Sequence, residues 1–419
     1  MKEIFKEIIN DPDKLEKLYR VDKKSFESDF RKVYPEIQDT EAAKFWKSRL
    51  DFEIYSDKPK KFFSPDLYLM IAVCIFGGFL IKIPELFNIN PKYFLFYQKD
   101  AGIIVFLMLA IYSIALKGDF RKRNHIIALT IFAVSAIFIN LLPDCSSCAS
   151  VNLVYIHMPF LMWCIYGLIY TDFELRSLRK RIEYIRHNGD LAVMGALLVI
   201  SGGILAIVTF GLFQAIGIRI DKFYTNYIIL IGAVSAPVLT TFILKNYATL
   251  TNRIAPVIAN IFSPLVLITL IVYLAAIVLS GKDPFNDRDF LLIFNLMLIG
   301  VVGIIVFSVS GTSSIGKQKI NEIVLFILST VTIIVNLVAL SAIFYRLGEF
   351  GLSPNRLAVV GSNILIFINL ILIAVDLFKI VFLKSEPEKV ELTISKYLPV
   401  YLAWVLIVIF VFPFVFGMR

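Results

Sequence analysis

Apolar runs of about 17 to 25 residues follow one another from Pro65 to the C-terminus, separated by short polar loops. A helix of this length crosses the roughly 30 Å hydrocarbon core of a membrane. About 11 such runs are present, at residues 65–83, 101–116, 125–142, 154–171, 191–213, 227–244, 256–280, 290–310, 322–345, 357–382 and 398–416. The pattern therefore predicts an all-α, polytopic transmembrane helical bundle over residues 65–419.

The first 64 residues have a different, strongly charged pattern, with 15 Lys and Arg against 14 Asp and Glu. Asp11-Pro12 is typical of an N-cap followed by a first-turn proline. Two further amphipathic stretches follow, one ended by Tyr34-Pro35 and one begun by Asp39. The apolar positions of the three stretches are Leu15, Leu18, Tyr19, Phe26, Phe30, Ala43, Phe45, Trp46 and Leu50. We predict a small helical cytoplasmic domain that either binds a partner or covers the loops of the membrane domain.

The distribution of Lys and Arg predicts how the chain crosses the membrane. The segment before the first span and the second, fourth and tenth loops are rich in both residues, whereas the third loop, 143–153, has neither. Basic loops stay on the cytoplasmic side, so the N-terminus is predicted inside and the C-terminus outside. Residues 176–186 form a basic amphipathic stretch that we expect to lie on the anionic inner leaflet.

The composition is that of a membrane protein, and the net positive charge is interpreted in that context. The mean hydropathy is +0.78, 58% of the residues are hydrophobic, and the net charge is +9. Because the basic excess lies in membrane loops, it does not indicate nucleic-acid binding. No nucleotide-binding, zinc-protease or serine-hydrolase motif is present, so no cofactor is expected and the pattern favours a protein that is not an enzyme.

No predicted span carries a charge at its centre. Lys82, Asp190 and Asp376 lie near span ends, where a long side chain can reach the interface. Ion-coupled carriers commonly use a buried carboxylate or histidine, so this pattern disfavours a charge-coupled pump.

Three amides lie at similar depth in spans eight, nine and ten: Asn295, Asn336 and Asn363. Ser329 and Thr332 share a helical face with Asn336. We predict either a substrate-binding polar pocket reached from outside, or interhelical hydrogen bonds that hold the bundle together.

The outer loop 346–356 lies beside these amides. Gly348 and Gly351 permit tight backbone geometry, and Ser353-Pro354 is typical of a helix start. Glu349 and Arg356 are predicted to form an ion pair or to bind a zwitterionic headgroup, and both belong to the candidate substrate site.

Two further groups lie in outer loops. Cys145 and Cys148 favour a local disulfide in an oxidising compartment, with inert thiols, redox chemistry or zinc as alternatives. Asp283, Asp287 and Asp289 gather in one loop without the spacing of a calcium-binding loop.

The pairs Gly77-Gly78 and Gly202-Gly203 predict close helix packing.

The segment Phe350-Gly351-Leu352-Ser353-Pro354-Asn355-Arg356 resembles the Tyr-Gly-Leu-Thr-x-x-Arg turn of the bacterial membrane families of unknown function DUF4153 and DUF4173. Phe and Ser stand here for Tyr and Thr. The rest of the membrane domain is similar to DUF4153-type proteins of Bacteroidetes, including Asn188-Gly189-Asp190. The resemblance implies a bacterial inner-membrane protein and no particular activity.

The leading functional hypothesis is a protein that binds or transports a neutral or zwitterionic substrate, which can be lipid-linked. Membrane lipids are expected partners. The alternatives are a scaffold or sensor that recruits a cytoplasmic or membrane protein through the N-terminal domain, and a membrane enzyme acting on lipid intermediates.

Overall fold

The computed structural model describes residues 9, 11–21, 23–57, 64–87, 95–145, 147–215, 219–246, 263–272, 274–275, 279, 288–312 and 319–418. Every regular element in these ranges is helical. The chain divides into two compact units, residues 1–65 and residues 66–419. We call them the N-terminal unit and the bundle unit.

The N-terminal unit contains three helices: α1 (Pro12–Val21), α2 (Lys23–Ile37) and α3 (Glu41–Asp57). The predicted N-cap is confirmed, because the Asp11 carboxylate accepts a hydrogen bond from the Lys14 amide at 3.2 Å. Thr40 caps α3 in the same way. Helix α2 continues through Pro35 to Ile37, although Tyr34-Pro35 was predicted to end it, because a proline in the last turn removes a single backbone hydrogen bond.

The core of the N-terminal unit is aromatic. Tyr19, Phe26, Phe30 and Trp46 are buried and their rings lie within 6 Å of one another in a connected series. Phe45, predicted as a core position, is instead 62% exposed, because its neighbour Trp46 takes the inward-facing position on α3. A cluster of this size buries little surface, as expected for a unit this short.

Eleven longer helices lie in the described ranges of the bundle unit. They are α4 (Pro65–Ile81), α5 (Phe96–Lys117), α6 (Arg123–Leu141), α7 (Ala149–Tyr170), α8 (Leu178–Ala215), α9 (Leu230–Asn246), α10 (Ser263–Val272), α11 (Arg288–Thr312), α12 (Lys319–Phe350), α13 (Pro354–Leu383) and α14 (Glu388–Phe410). A π-helical turn, Tyr224–Ile229, leads directly into α9.

Eight helices in the described part of the chain are long and apolar enough to cross a membrane. Three shorter apolar stretches, Pro65–Ile81, Ser263–Val272 and Met297–Val309, fall within the remaining predicted spans. Large apolar side chains on α8, such as Ile200, Leu205 and Ile207, are exposed on the isolated chain. Such a continuous apolar surface is compatible with a membrane-embedded protein.

Helix α8 differs from the prediction. The basic stretch 176–186 and the fifth span form one helix of 38 residues, about 57 Å long at 1.5 Å per residue. Ile182 and Ile185 are buried in the protein core, and the Arg181 guanidinium donates to the Ser395 carbonyl at 3.0 Å. The apolar face of this stretch therefore contacts protein, where contact with lipid was predicted, because α14 begins early enough to cover it.

Ion pairs show which helix ends share a face of the bundle. Lys117 at the end of α5 pairs with Asp172 after α7, and Lys245 at the end of α9 pairs with Asp66 in α4. These contacts define one end of the bundle unit, which we call the basic face. Lys99, near the start of α5, lies at the opposite face. The up-and-down alternation predicted from the loops agrees with these pairings.

The glycine pairs behave differently from each other. A Cβ on Gly77 would fall 1.9 Å from the Met108 sulfur, so α4 and α5 pack closely there. Gly202 and Gly203 have open space around them, so close packing at this pair is not observed. These two glycines lie on the exposed part of α8, where no neighbouring helix approaches among the described residues.

Candidate functional site

A cavity of about 660 Å³ opens at the basic face between α5, α7, α8 and α9. Its charged lining comprises four basic and three acidic side chains, Lys117, Lys180, Arg186, Lys245, Asp172, Glu183 and Asp190. Its remaining lining includes Ser113, Tyr166, Tyr170, Thr171, His187 and Thr241. We refer to it as the basic-face cavity.

Lys117 closes one side of the cavity by capping α7. Its ammonium donates to the carbonyls of Ile169 and Tyr170 at 3.1 and 3.3 Å and pairs with Asp172 at 2.7 Å. The last carbonyls of a helix lack backbone partners, so a cation there is favourable. Asp172 adopts a positive φ of 55°, which turns the chain back toward α8.

Asp172 is the centre of a small charge network. Its carboxylate pairs with Lys117 and lies 3.5 Å from the Lys180 ammonium, which also pairs with Glu174 at 2.6 Å. Partial burial raises the pKa of Asp172, but hydrogen bonds and charge from Lys117 and Lys180 outweigh it and hold that pKa below its ordinary 3.8. The carboxylate is therefore ionised at neutral pH.

The other two cations of the cavity are also paired. Arg186 lies 3.3 Å from the Glu391 carboxylate of α14, and Lys245 lies 2.7 Å from Asp66. Every basic side chain that lines the cavity thus has a carboxylate partner. The cavity gathers cations without presenting an unpaired one.

Asp190 is the exception among the acidic groups. No cation lies within ion-pair distance of its carboxylate in the described ranges, and Arg186 one turn earlier acts on it only at longer range. Gly189 precedes it, and a Cβ there would fall 1.8 Å from the Phe307 ring. This close approach of α11 fixes the part of α8 that carries Asp190.

Aromatic side chains line one side of the same cavity. The rings of Tyr170 and His187 stack with centroids 4.8 Å apart, and the Tyr166 hydroxyl lies 3.4 Å from His187 Nε2. A carboxylate beside aromatic faces is a suitable environment for an ammonium group. No cluster of three or more metal-binding side chains occurs among the residues the structure describes.

The sequence prediction did not single out this cavity. Asp190 was predicted to be a charge near a span end and forms part of the Asn188-Gly189-Asp190 resemblance, and the sequence predicted no role for His187, Glu183 or Lys245. A usable signal is the spacing of Glu183, Arg186, His187 and Asp190, which repeats every three to four residues and so forms one helical face. Hydropathy does not show this signal, because the charges interrupt the apolar run. The charged stretch is then interpreted as a loop, although helix α8 continues through it.

The three predicted asparagines do come together. The Asn363 amide donates to the Asn295 side-chain oxygen at 2.7 Å, and the Asn336 amide donates to the Asn363 backbone carbonyl at 3.2 Å. This chain of hydrogen bonds links α11, α12 and α13. Asn336 and Asn363 are buried, and neither contributes to the basic-face cavity.

These contacts favour the interhelical alternative, while the substrate-binding role of the asparagines stays a prediction. Thr332 and Ser329 direct their hydroxyls to carbonyls of their own helix. The Asn336 side-chain oxygen is buried without a hydrogen-bond partner in the described structure.

The loop between α12 and α13 is shorter than predicted. Helix α12 continues to Phe350, so Gly348 is helical, and only Gly351 has a positive φ, at 70°. Arg356 donates to the Phe350 and Gly351 carbonyls at 2.8 and 2.7 Å. In the described part of the chain Glu349 forms no ion pair with it, because the arginine is used to cap α12.

The cysteines Cys145 and Cys148 form a disulfide just before α7. In the acidic loop, Asp283 and Asp287 lie outside the described residues, as does the side chain of Asp289.

No protein-family model, curated protein or solved structure matches this chain.

Proposed function

We propose that this chain is a multi-pass inner-membrane protein that binds, and moves into or across the membrane, a zwitterionic substrate held in the basic-face cavity. In this proposal the basic face is cytoplasmic. The observation that carries the proposal is a carboxylate without an ion-pair partner in the described structure, Asp190, inside a cavity whose four cations are each paired. The resemblance to the DUF4153 and DUF4173 families supports the bacterial setting.

The cationic end of the substrate is assigned to Asp190. An ammonium placed there gains a charge partner and can contact the ring of Tyr170, which is only partly buried. Such a cation–π contact contributes about 0.5–2 kcal/mol, more when water is excluded. A neutral ligand would leave the Asp190 charge without a direct partner, so it fits the site less well.

The anionic end is assigned to the rim that carries Lys180 and Lys245. Both ammonium groups are partly exposed, at 30% and 44% of the side chain, and each holds carboxylates at the edge of the cavity. A phosphate or carboxylate of the ligand can share these donors without breaking the pairs, because an ammonium has three N–H groups. A ligand with both charges thus satisfies both ends of the cavity.

Ligand binding to the purified full-length protein tests this proposal. We expect phosphocholine to raise the thermal unfolding temperature more than choline or inorganic phosphate at equal concentration, since only phosphocholine carries both charges. Asp190→Asn should abolish the shift caused by choline and reduce that caused by phosphocholine. Asp119→Asn changes a half-buried carboxylate of the basic face that lies outside the cavity and pairs with Lys122, so this control should behave as wild type.

The proposal fails if none of the three probes shifts the unfolding temperature, or if Asp190→Asn retains the wild-type response. Uptake of labelled phosphocholine into proteoliposomes then separates transport from binding. A protein that binds but does not transport would retain the shift and show no uptake above empty vesicles.

A membrane enzyme is a second candidate, favoured by the convergence of Glu183, His187 and Asp190 on one cavity. A histidine and two carboxylates at one membrane face are the groups used for general acid–base chemistry. Turnover of a lipid phosphodiester by wild-type protein, lost in His187→Gln, would favour this candidate over binding alone.

The scaffold alternative rests on a different observation, the separate aromatic core of the N-terminal unit. Removal of residues 1–64 should release a copurifying protein partner if this unit recruits one. An unchanged set of copurifying proteins would exclude that role.

A further inference from the structure

A second recess lies in the bundle unit, along a neighbouring side of α7 from the basic-face cavity. It is an apolar groove of about 190 Å³ between α7, α8 and α14. Its lining is mostly apolar and includes Phe160, Trp163, Leu168 and Leu175, and its polar residues include Glu174 and Arg181. We propose that this groove binds one anionic phospholipid, with its phosphate at Arg181 and one acyl chain along the groove.

The length of the groove matches one leaflet. On α7 it extends from Phe160 to Thr171, which is about 16 Å at 1.5 Å per residue. Half of a 30 Å hydrocarbon core is about 15 Å. An acyl chain that enters from the basic face therefore reaches the bilayer midplane where the groove ends.

Charge at the mouth of the groove selects the headgroup. The Arg181 guanidinium donates to the carbonyls of Ser395 and Leu175, and no carboxylate lies within ion-pair distance of it among the described residues. Glu174 at the same mouth is held by Lys180 at 2.6 Å. Arg181 thus presents a fixed positive charge above an apolar groove, and a phosphate with an acyl chain complements both features.

The groove and the basic-face cavity share Thr171 and are otherwise lined by different residues. The Tyr184 hydroxyl donates to the Trp163 carbonyl at 2.7 Å, and a Cβ on Gly167 would fall 2.7 Å from the Tyr184 ring. This contact closes the seam between α7 and α8. Tyr166 and Tyr170 face the cavity, while Trp163 and Leu168 face the groove. Apart from Thr171, the lipid site therefore uses none of the residues that line the proposed substrate site.

Native mass spectrometry of the delipidated full-length protein tests the proposal, with phosphatidylglycerol and phosphatidylcholine of identical chains as probes. We expect one phosphatidylglycerol to bind about fivefold more tightly than phosphatidylcholine, the preference that one basic side chain gives near a membrane surface. Arg181→Gln should remove this preference, and Arg181→Lys should retain part of it. Arg179→Gln is the matched control, because Arg179 lies on the same helix and is 91% exposed.

A second variant tests the acyl chain and does not depend on Arg181. Leu168→Trp fills the groove and should weaken both lipids to a similar degree, while leaving the phosphocholine response of the cavity unchanged. The proposal is overturned if Arg181→Gln and Arg179→Gln have the same effect, if glycerophosphate without acyl chains binds as tightly as the lipid, or if Leu168→Trp changes neither lipid. Release of a bound protein by Leu168→Trp, with lipid binding unchanged, would assign the groove to a protein helix and overturn it as well.

Discussion

The ammonium of Lys99, which is fully buried, lies 2.6 Å from the carboxylate of Asp144 at the face opposite the basic face. It also lies 3.4 Å from the Leu142 carbonyl. Asp144 immediately precedes Cys145, whose disulfide to Cys148 closes the loop before α7. A buried cation in α5 is thus compensated by a residue that a covalently closed loop holds in place.

Asp144→Asn is expected to lower the free energy of unfolding by about 1–3 kcal/mol, less than for a fully buried pair, because the Asp144 side chain is 37% exposed and Lys99 keeps its contact with the Leu142 carbonyl. Denaturant titration in detergent micelles measures this difference. Lys99→Met combined with Asp144→Asn should recover only part of the loss, because the unpaired cation is removed while the neighbouring Asp100 carboxylate, on which Lys99 also acts, stays buried. A double variant as unstable as Asp144→Asn alone would show that the pair is not the cause.

Asn363→Ala is expected to destabilise the bundle by about 1 kcal/mol, because it removes the hydrogen bond to Asn295. Asn336→Ala should cost less, since the lost bond to the Asn363 carbonyl is offset by removal of an oxygen that is buried without a partner in the described structure. Thermal unfolding of both variants in the same detergent gives the order. The reverse order would mean that the unpaired oxygen has a partner in the membrane.

Gly361→Ala should weaken the packing of α13 on α14, because the added Cβ would fall 2.1 Å from the Trp404 ring. The ring is held by a hydrogen bond from Trp404 Nε1 to Ser362 and has little freedom to move. We expect a loss of about 1–3 kcal/mol. Gly202→Ala, with open space around it, should be neutral or stabilise by up to about 1 kcal/mol. Equal effects of the two changes would contradict this account, and differential scanning calorimetry separates them.

The Asp172 network predicts a defined pH dependence. The pKa of Asp172 in the folded protein lies below its ordinary value of 3.8. The stabilisation that the ionised carboxylate gives is therefore fully present above pH 3.8 and is lost as the pH falls through the folded-state pKa. The difference in unfolding temperature between wild type and Asp172→Asn should therefore stay constant from about pH 7 to pH 5 and shrink below about pH 4. A difference that fades between pH 7 and pH 5 would place the titrating group elsewhere.

The elements with long apolar runs were the predictable part of this fold. One cluster of side chains was predictable as well. Asn295, Asn336 and Asn363 lie at similar depth in separate spans, and that depth was enough to predict that they lie together. Depth alone does not say whether an amide faces a cavity or a neighbouring helix. That distinction depends on the rotation of each helix, which packing sets and hydropathy does not record.

The basic-face cavity was beyond prediction for a related reason. It combines Lys117, Asp172, Asp190 and Lys245, which lie up to 128 positions apart in the sequence. Asp190 gains its significance only because the charged stretch before it continues as helix α8. A hydropathy profile treats that stretch as a loop, and the loop assignment conceals a helical face that lines a cavity.

The turn between α12 and α13 has a consequence for biogenesis. Arg356 donates to the carbonyls at the end of α12, and the Ser353 hydroxyl accepts from the Arg356 amide at the start of α13. These contacts span at most six residues, so they can form before any distant part of the chain is synthesised. The two helices are thereby joined as a hairpin whose polar backbone ends are satisfied locally. Such a hairpin can enter the bilayer as one piece, with its asparagines already facing each other before α14 has been made.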